Sequence, residues 1–201
     1  MKKLPLERRL EYWKYQSAEL TFDDAREVSV YLIEQPKFPL MYQLLTSLYV
    51  LYGRPFKQRK NVRISEELVP SRYAEEHKFL IGLRDKLFAH ADTDGLADEN
   101  IDCLTKILLR ASGGGLVPAM AGHLPIGLRY QEIRDLCMLL AQACHEKAQE
   151  ILIDAMDGRC PPANLTYEID LRPGESYLIK QVEWTRGSKL WKIPGSEGLE
   201  W

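Results

Sequence analysis

Tyr130, Ile133, Cys137, Leu140, Cys144, Ala148, Ile151 and Ala155 recur at steps of three and four residues. Apolar residues at that period, sustained over about seven turns, form one face of an α-helix rather than the alternating face of a strand. One such helix cannot bury its own stripe, so the chain needs further helices to pack against it. The preceding sequence offers them. Leu6, Leu10, Trp13 and Leu20 mark the face of a first helix whose other side carries Glu7, Arg8, Glu11 and Lys14. Thr21-Phe22-Asp23-Asp24 resembles a capping box and predicts a second helix to about Glu34, after which Pro36 and Pro39 force a turn. Leu40 to Tyr52 is apolar on nearly every side (Leu44, Leu45, Leu48, Tyr49, Val50, Leu51), which predicts a central helix ended by Gly53. Its Tyr42, Tyr49 and Tyr52 need polar partners for their hydroxyls. Pro70 and Ser71 then open a helix of about six turns to Asp92, stopped by Thr93-Asp94-Gly95. The expectation is a mainly α chain, a bundle of about five helices.

Two stretches depart from helical patterning. Leu104 to Arg110 and Leu116 to Met120 flank Ser112-Gly113-Gly114-Gly115, which predicts a small β-hairpin within residues 103–121, with Pro118 making the second strand an edge. Asn100 to Ala111 also suits a helix. After Asp157-Gly158 and Pro161-Pro162 the chain changes character. Tyr167 to Leu171 and Ser176 to Trp184, separated by Arg172-Pro173-Gly174-Glu175, read as strand, turn and strand. Trp184, Trp191 and Trp201 also lie there. We therefore expect a helical domain over residues 1–157 and a β-rich C-terminal extension over 158–201 that packs on it, since such a tail buries little alone.

Of the chain's 201 residues, 45% are hydrophobic and 28% charged, the balance of a soluble protein with one well-buried core. Glu7, Arg8, Arg9 and Glu11 follow Met1-Lys2-Lys3 where a signal peptide would be apolar, and no apolar run approaches the roughly 20 residues of a membrane span. A cytoplasmic location is expected, with no membrane partner. Cys103, Cys137, Cys144 and Cys160 lack the close pairing of zinc sites, so no metal and no cofactor is expected. Cys137 and Cys144 fit as small core residues in a reducing compartment. The formal net charge of -2 provides no global attraction for nucleic acid, so any RNA site must be a local basic patch.

Arg84 is the residue that does not fit its helix. Leu80, Ile81, Leu87, Phe88 and Ala91 lie near its azimuth, so a guanidinium sits on the apolar stripe and must find a partner. His77 is on nearly the same line. Arg84 is followed by a polar residue, Asp85, then by four residues and His90. That order resembles the Arg, polar residue, spacer, His motif of the HEPN superfamily. Members are helical bundles, often dimeric, and many are metal-independent endoribonucleases of toxin–antitoxin, phage-defence and RNA-processing systems; others are inactive or merely bind. The resemblance covers roughly Leu4 to Met156 and is specific over Arg84 to His90.

For this chain the resemblance implies RNA cleavage by the substrate's own 2′-OH, leaving a 2′,3′-cyclic phosphate. His90 would be general base or acid, Arg84 would stabilise charge on the phosphorus, and Asp85 would orient one of them. On a regular helix His90 lies about 120° from Arg84, so the two converge only if the helix loosens near Ala89 or a second chain completes the site. The resemblance favours a homodimer in which two motif helices meet, with a cognate antitoxin protein as a further possible partner. Arg54, Lys57, Arg59, Lys60 and Arg63 form a basic stretch without an acid, carrying Phe56, and are the expected RNA-binding residues, although a solvated loop has the same composition. Two other readings stay open: a non-catalytic HEPN-like dimer that binds a protein or nucleotide, and a helical adaptor outside that family.

Overall fold

The computed structural model describes residues 4–35, 40–58, 62–85, 107–112, 115–121, 129–156, 158, 166–169, 171 and 180–182. They are mainly helical. Helix α1 spans Leu6–Glu34, α2 Met41–Lys57, α3 Ala74–Leu83 and α4 Tyr130–Ala155, with short 3-10 turns at Glu66–Leu68 and Ser71–Tyr73 before α3. Strands Ile107–Ser112 (β1) and Gly115–Ala121 (β2) pair antiparallel, and their register shifts between Leu108 and Leu109, the latter opposite Pro118. A proline has no N–H to give a ladder, and a bulge accommodates it. Thr166–Glu168 (β3) and Lys180–Val182 (β4) form a second antiparallel pair. Pro36, Pro39 and most of the stretch from 158 to 201, including its tryptophans, lie outside the described residues.

The chain divides into two compact units, Glu11–Gln149 and the paired ends Met1–Leu10 with Glu150–Trp201. In the second of these, Arg8 pairs with Asp154 across 3.5 Å at the surface. The first holds the main core. Ala18, Phe22, Ala25 and Leu32 of α1, Leu45, Leu48, Tyr49, Tyr52 and Phe56 of α2, Leu80 and Leu83 of α3, and Ile133, Leu136, Cys137, Leu140, Ala141 and Cys144 of α4 are buried together. At its centre Phe22, Tyr52 and Phe56 form a triangle with ring centroids 5.7–6.0 Å apart. Full burial of one such ring stabilises by about 1.5–3 kcal/mol. Cys137 and Cys144 are free thiols in this core; burial pushes the Cys144 thiol up to about 12 and Cys137 higher still, so both stay protonated.

Three expectations about helices require correction. Thr21 does not open a new helix: α1 is continuous through it, so the described residues hold four α-helices rather than about five. The reason is physical. Neither Gly nor Pro interrupts Leu6 to Glu34, and Ala18, Phe22, Ala25 and Leu32 keep one unbroken apolar face. The Thr21 hydroxyl donates instead to the Ser17 carbonyl at 2.6 Å, one turn back, as Ser29 does to Ala25 at 2.9 Å.

Gly53 does not end α2, which runs on through Pro55 to Lys57. Pro55 gives up only one hydrogen bond near the helix end, and Phe56, 2% exposed, anchors the last turn in the core. The chain returns to this end, where the Ile64 N–H donates to the Pro55 carbonyl at 3.1 Å. Arg54 and Lys57 are therefore helical residues and not loop residues. Finally, the helix expected from Ser71 begins as a 3-10 turn and becomes α-helical at Ala74, with Arg84 and Asp85 continuing in a wider, π-type turn. Lys86 to Asp92 lie outside the described residues. Among the described residues no helix is long and apolar enough to cross a membrane.

Candidate functional site

Helices α2 and α3 pack against each other, and their contact sets the position of Arg84. Gly53 faces the arginine so closely that a Cβ added there would lie 2.9 Å from Arg84 Cγ, 3.1 Å from its Cδ and 3.3 Å from its Cβ. Ordinary carbon contacts are at least about 3.5 Å, so any larger residue at 53 must displace the arginine stem. A glycine within a helix costs about 0.5–1 kcal/mol relative to alanine, and here the missing side chain is the space that Arg84 occupies.

From that seat the Arg84 guanidinium reaches its own neighbour. Arg84 Nη1 donates to Asp85 Oδ1 at 2.7 Å, and Lys57 Nζ stands 2.9 Å from Asp85 Oδ2. One carboxylate thus bridges two cations from two helix ends. The three side chains are 24% (Arg84), 32% (Lys57) and 35% (Asp85) exposed, neither sealed in the core nor fully solvated. Burial alone would raise the Asp85 carboxyl, but the hydrogen bonds and charges of Lys57 and Arg84 outweigh it and hold the carboxyl below its ordinary value. It stays ionised at neutral pH, and the trio carries a net charge of about +1. Among the described residues Arg84 Nε is buried without a hydrogen-bond partner. The partner that the apolar stripe demanded is therefore Asp85 and not His77.

His77 has a different neighbourhood. It is 8% exposed, its Nδ1 lies 2.8 Å from the Tyr52 hydroxyl, and its ring stands edge-on to Phe56 at 4.6 Å. Glu66 Oε2 is 3.9 Å from Nε2. The carboxylate favours a proton on Nε2, which leaves Nδ1 to accept from Tyr52. Burial lowers the imidazole's basicity, Glu66 opposes that shift, and Lys57 adds to it, with a net lowering. Burial likewise pushes Tyr52 upward, with Cys137 and Glu66 adding to the effect.

A consequence for stability follows from His77. The unfolded chain binds a proton at this residue near pH 6.5, whereas the folded chain resists it to lower pH. The contribution of His77 to stability is therefore present above about pH 6.5 and is lost as the pH drops below it, until the folded form also takes up the proton. Urea midpoints measured from pH 7.5 to 5 should fall for the wild type and fall less for His77→Gln. Parallel curves for the two would remove His77 as the cause.

Of the remaining predicted residues, Arg54 and Arg63 are exposed, one in the last turn of α2 and one shortly after it. Arg59, Lys60 and His90 lie outside the described residues. On the face formed by α1 and α4, Tyr12 donates to Gln16 at 2.9 Å, Gln16 donates to Glu19 at 3.0 Å, and Glu19 meets His145 at 3.0 Å. Among the described residues no group of His, Cys, Asp and Glu is placed to hold a metal ion. Sequence reasoning missed Gly53 as the seat of Arg84. The available signal was a glycine in the most apolar helix followed at once by Arg-Pro, a pattern that suits a stop as well as a close approach. No family model, curated protein or solved structure matches the chain.

Proposed function

We propose that this protein is a cytoplasmic, metal-independent endoribonuclease of the HEPN kind, acting as a homodimer. The observation that supports the reading most is the 2.9 Å approach of Lys57 to Asp85. Lys57 belongs to the basic stretch and Asp85 to the Arg-polar-His motif, so the two sequence features assigned to RNA share one place. A phosphodiester there would meet the guanidinium of Arg84 and the ammonium of Lys57 together, which is the charge arrangement that a pentavalent phosphorus needs. In the reaction His90 takes the proton from the 2′-OH, the 2′-oxygen bonds to phosphorus, and the bond to the 5′-oxygen breaks. That oxygen takes up a proton, which leaves a 5′-hydroxyl and a 2′,3′-cyclic phosphate. His90 of a second protomer completes the site if the motif helix keeps the two residues of one chain apart, and a cognate antitoxin protein would cover it.

A second reading has its own support. Arg84 is already paired within its chain and packed on Gly53, an arrangement that equally serves a module that holds phosphate without cutting. The ribonuclease reading requires the basic stretch to touch RNA, whereas a non-catalytic dimer could equally bind a protein or nucleotide. Replacing Lys57, Arg59 and Lys60 by Ala should weaken binding to single-stranded RNA and flatten the slope of log K against log salt by up to about 2. An unchanged slope would remove the stretch from the site. A protein that binds RNA with the expected slope, has the mass of a dimer in light scattering and still cleaves nothing would move the function to the second reading.

A further inference from the structure

We propose that Asp85 is an internal stand-in for phosphate: in the unliganded chain its carboxylate occupies the anion site formed by Arg84 and Lys57, and an incoming phosphoryl group displaces it. The inference rests on the reading above only in taking Arg84 and Lys57 as phosphate-contacting groups. It adds a regulatory device to that site, a latch that is released when a phosphate anion competes with the carboxylate for the two cations.

The geometry carries the argument in three steps. The two cations are brought from different helix ends to opposite oxygens of one carboxylate, at 2.7 Å and 2.9 Å. Such a bridge between an Arg and a Lys is the arrangement that a phosphoryl group with several anionic oxygens also satisfies. Second, the members differ in freedom. The Arg84 stem is fitted against Gly53, with Cγ 2.9 Å from the position of an added Cβ, whereas Asp85 has a short side chain on the neighbouring residue and is 35% exposed. Rotation about its first side-chain torsion withdraws the carboxylate without moving the cation.

Third, Asp85 does not exhaust what it binds. A guanidinium has five N–H donors, and Asp85 accepts from Nη1 while Nε of Arg84 is buried with no partner among the described residues. Two cations facing one carboxylate also leave a residual positive charge. Asp85 remains ionised at neutral pH, so the latch is closed until an anion competes with it.

The test is a binding measurement on the full chain, by titration calorimetry. Its probes are pyrophosphate and an oligonucleotide of 2′-deoxyribose throughout, which a 2′-OH mechanism cannot cut. Asp85→Asn removes the competing charge while keeping the shape, so it should bind pyrophosphate at least about fivefold more tightly than the wild type. Adding Lys57→Gln should abolish that gain. A gain with both probes places any phosphoryl group in the site, and a gain with the oligonucleotide alone restricts it to the polymer; either supports the latch. Equal or weaker binding of both probes by folded Asp85→Asn would overturn it, since Asp85 would then serve to hold the cations in place.

Should the variant fail to fold, the wild type still decides. The carboxyl carbon of Asp85, followed by NMR, should titrate at higher pH with saturating pyrophosphate than without it, because the displaced carboxylate loses its cations. An unchanged titration would overturn the proposal. RNA cleavage is not the readout, so the two ideas fail separately. A chain that cleaves no RNA but gains pyrophosphate affinity in Asp85→Asn keeps the latch and loses the ribonuclease reading, and a chain that cleaves RNA without that gain does the reverse.

Discussion

Arg84→Ala and His90→Ala should each lower RNA cleavage at least about a hundredfold while leaving the helical fold intact. For Arg84 the loss comes from charge stabilisation at phosphorus. The truncation should fall on kcat, because the charge it meets develops in the transition state. Arg84→Lys should restore little of it. The guanidinium is planar and has donors left over after its bond to Asp85, whereas an ammonium at the end of a longer stem cannot reproduce that fork. His145, held by Glu19 at 3.0 Å on α1 and α4, is the control. Its replacement should leave cleavage unchanged. Turnover rates of the four variants, with circular dichroism for the fold, decide the matter, and full activity in Arg84→Ala would exclude the guanidinium from the chemistry.

Gly53→Ala is the second large effect, and its sign separates fold from function. Helix propensity alone predicts that alanine at this position stabilises the helix by about 0.5–1 kcal/mol. The space is taken, however: the new methyl would meet Arg84 Cγ at 2.9 Å and Cδ at 3.1 Å, near the root of the side chain rather than at its mobile end. The arginine must move, and a misplacement on the order of 1 Å at a reacting centre costs up to about a hundredfold in rate. Cleavage should thus fall by ten- to a hundredfold, by order of magnitude, with the helical spectrum preserved. Gly82 in α3 supplies the comparison, because a Cβ there meets nothing within 4 Å. Gly82→Ala should raise the thermal midpoint and leave cleavage as it is. If Gly53→Ala behaved like Gly82→Ala, the close approach would have no functional weight.

The helices were legible where one signal acted alone. In α4 the apolar residues from Tyr130 to Ala155 keep the helical period without a competing break, and the expected and observed spans agree. In α1 a local signal competed with a longer one. Thr21 and Asp24 suit a helix start, yet the apolar face that contains Ala18, Phe22, Ala25 and Leu32 runs past them, and burial of that face outweighs a cap. Gly53 failed for another reason. A glycine states that little space is available or that the backbone turns, and only the tertiary structure distinguishes the two.

The site was legible in its residues and less so in its contacts. That Arg84 needs a partner follows from its azimuth on an apolar stripe. That the partner is Asp85, with Lys57 on the other oxygen, depends on how α2 and α3 meet, and periodicity within either helix carries no such information. The same holds for Tyr52, whose hydroxyl was expected to need a polar group and finds His77 at 2.8 Å.

The central claim is that the RNA's own 2′-hydroxyl cuts the chain next to Arg84 without a metal. It is tested most directly by incubating the purified protein in EDTA with an RNA and with the same RNA carrying one 2′-deoxyribose at the scissile position, and identifying the product ends by mass spectrometry. The account predicts that the RNA is cleaved to a 2′,3′-cyclic phosphate and a 5′-hydroxyl, and that the substituted strand stays intact at that position. Cleavage that requires a divalent ion, or that proceeds equally at the deoxyribose, would contradict it.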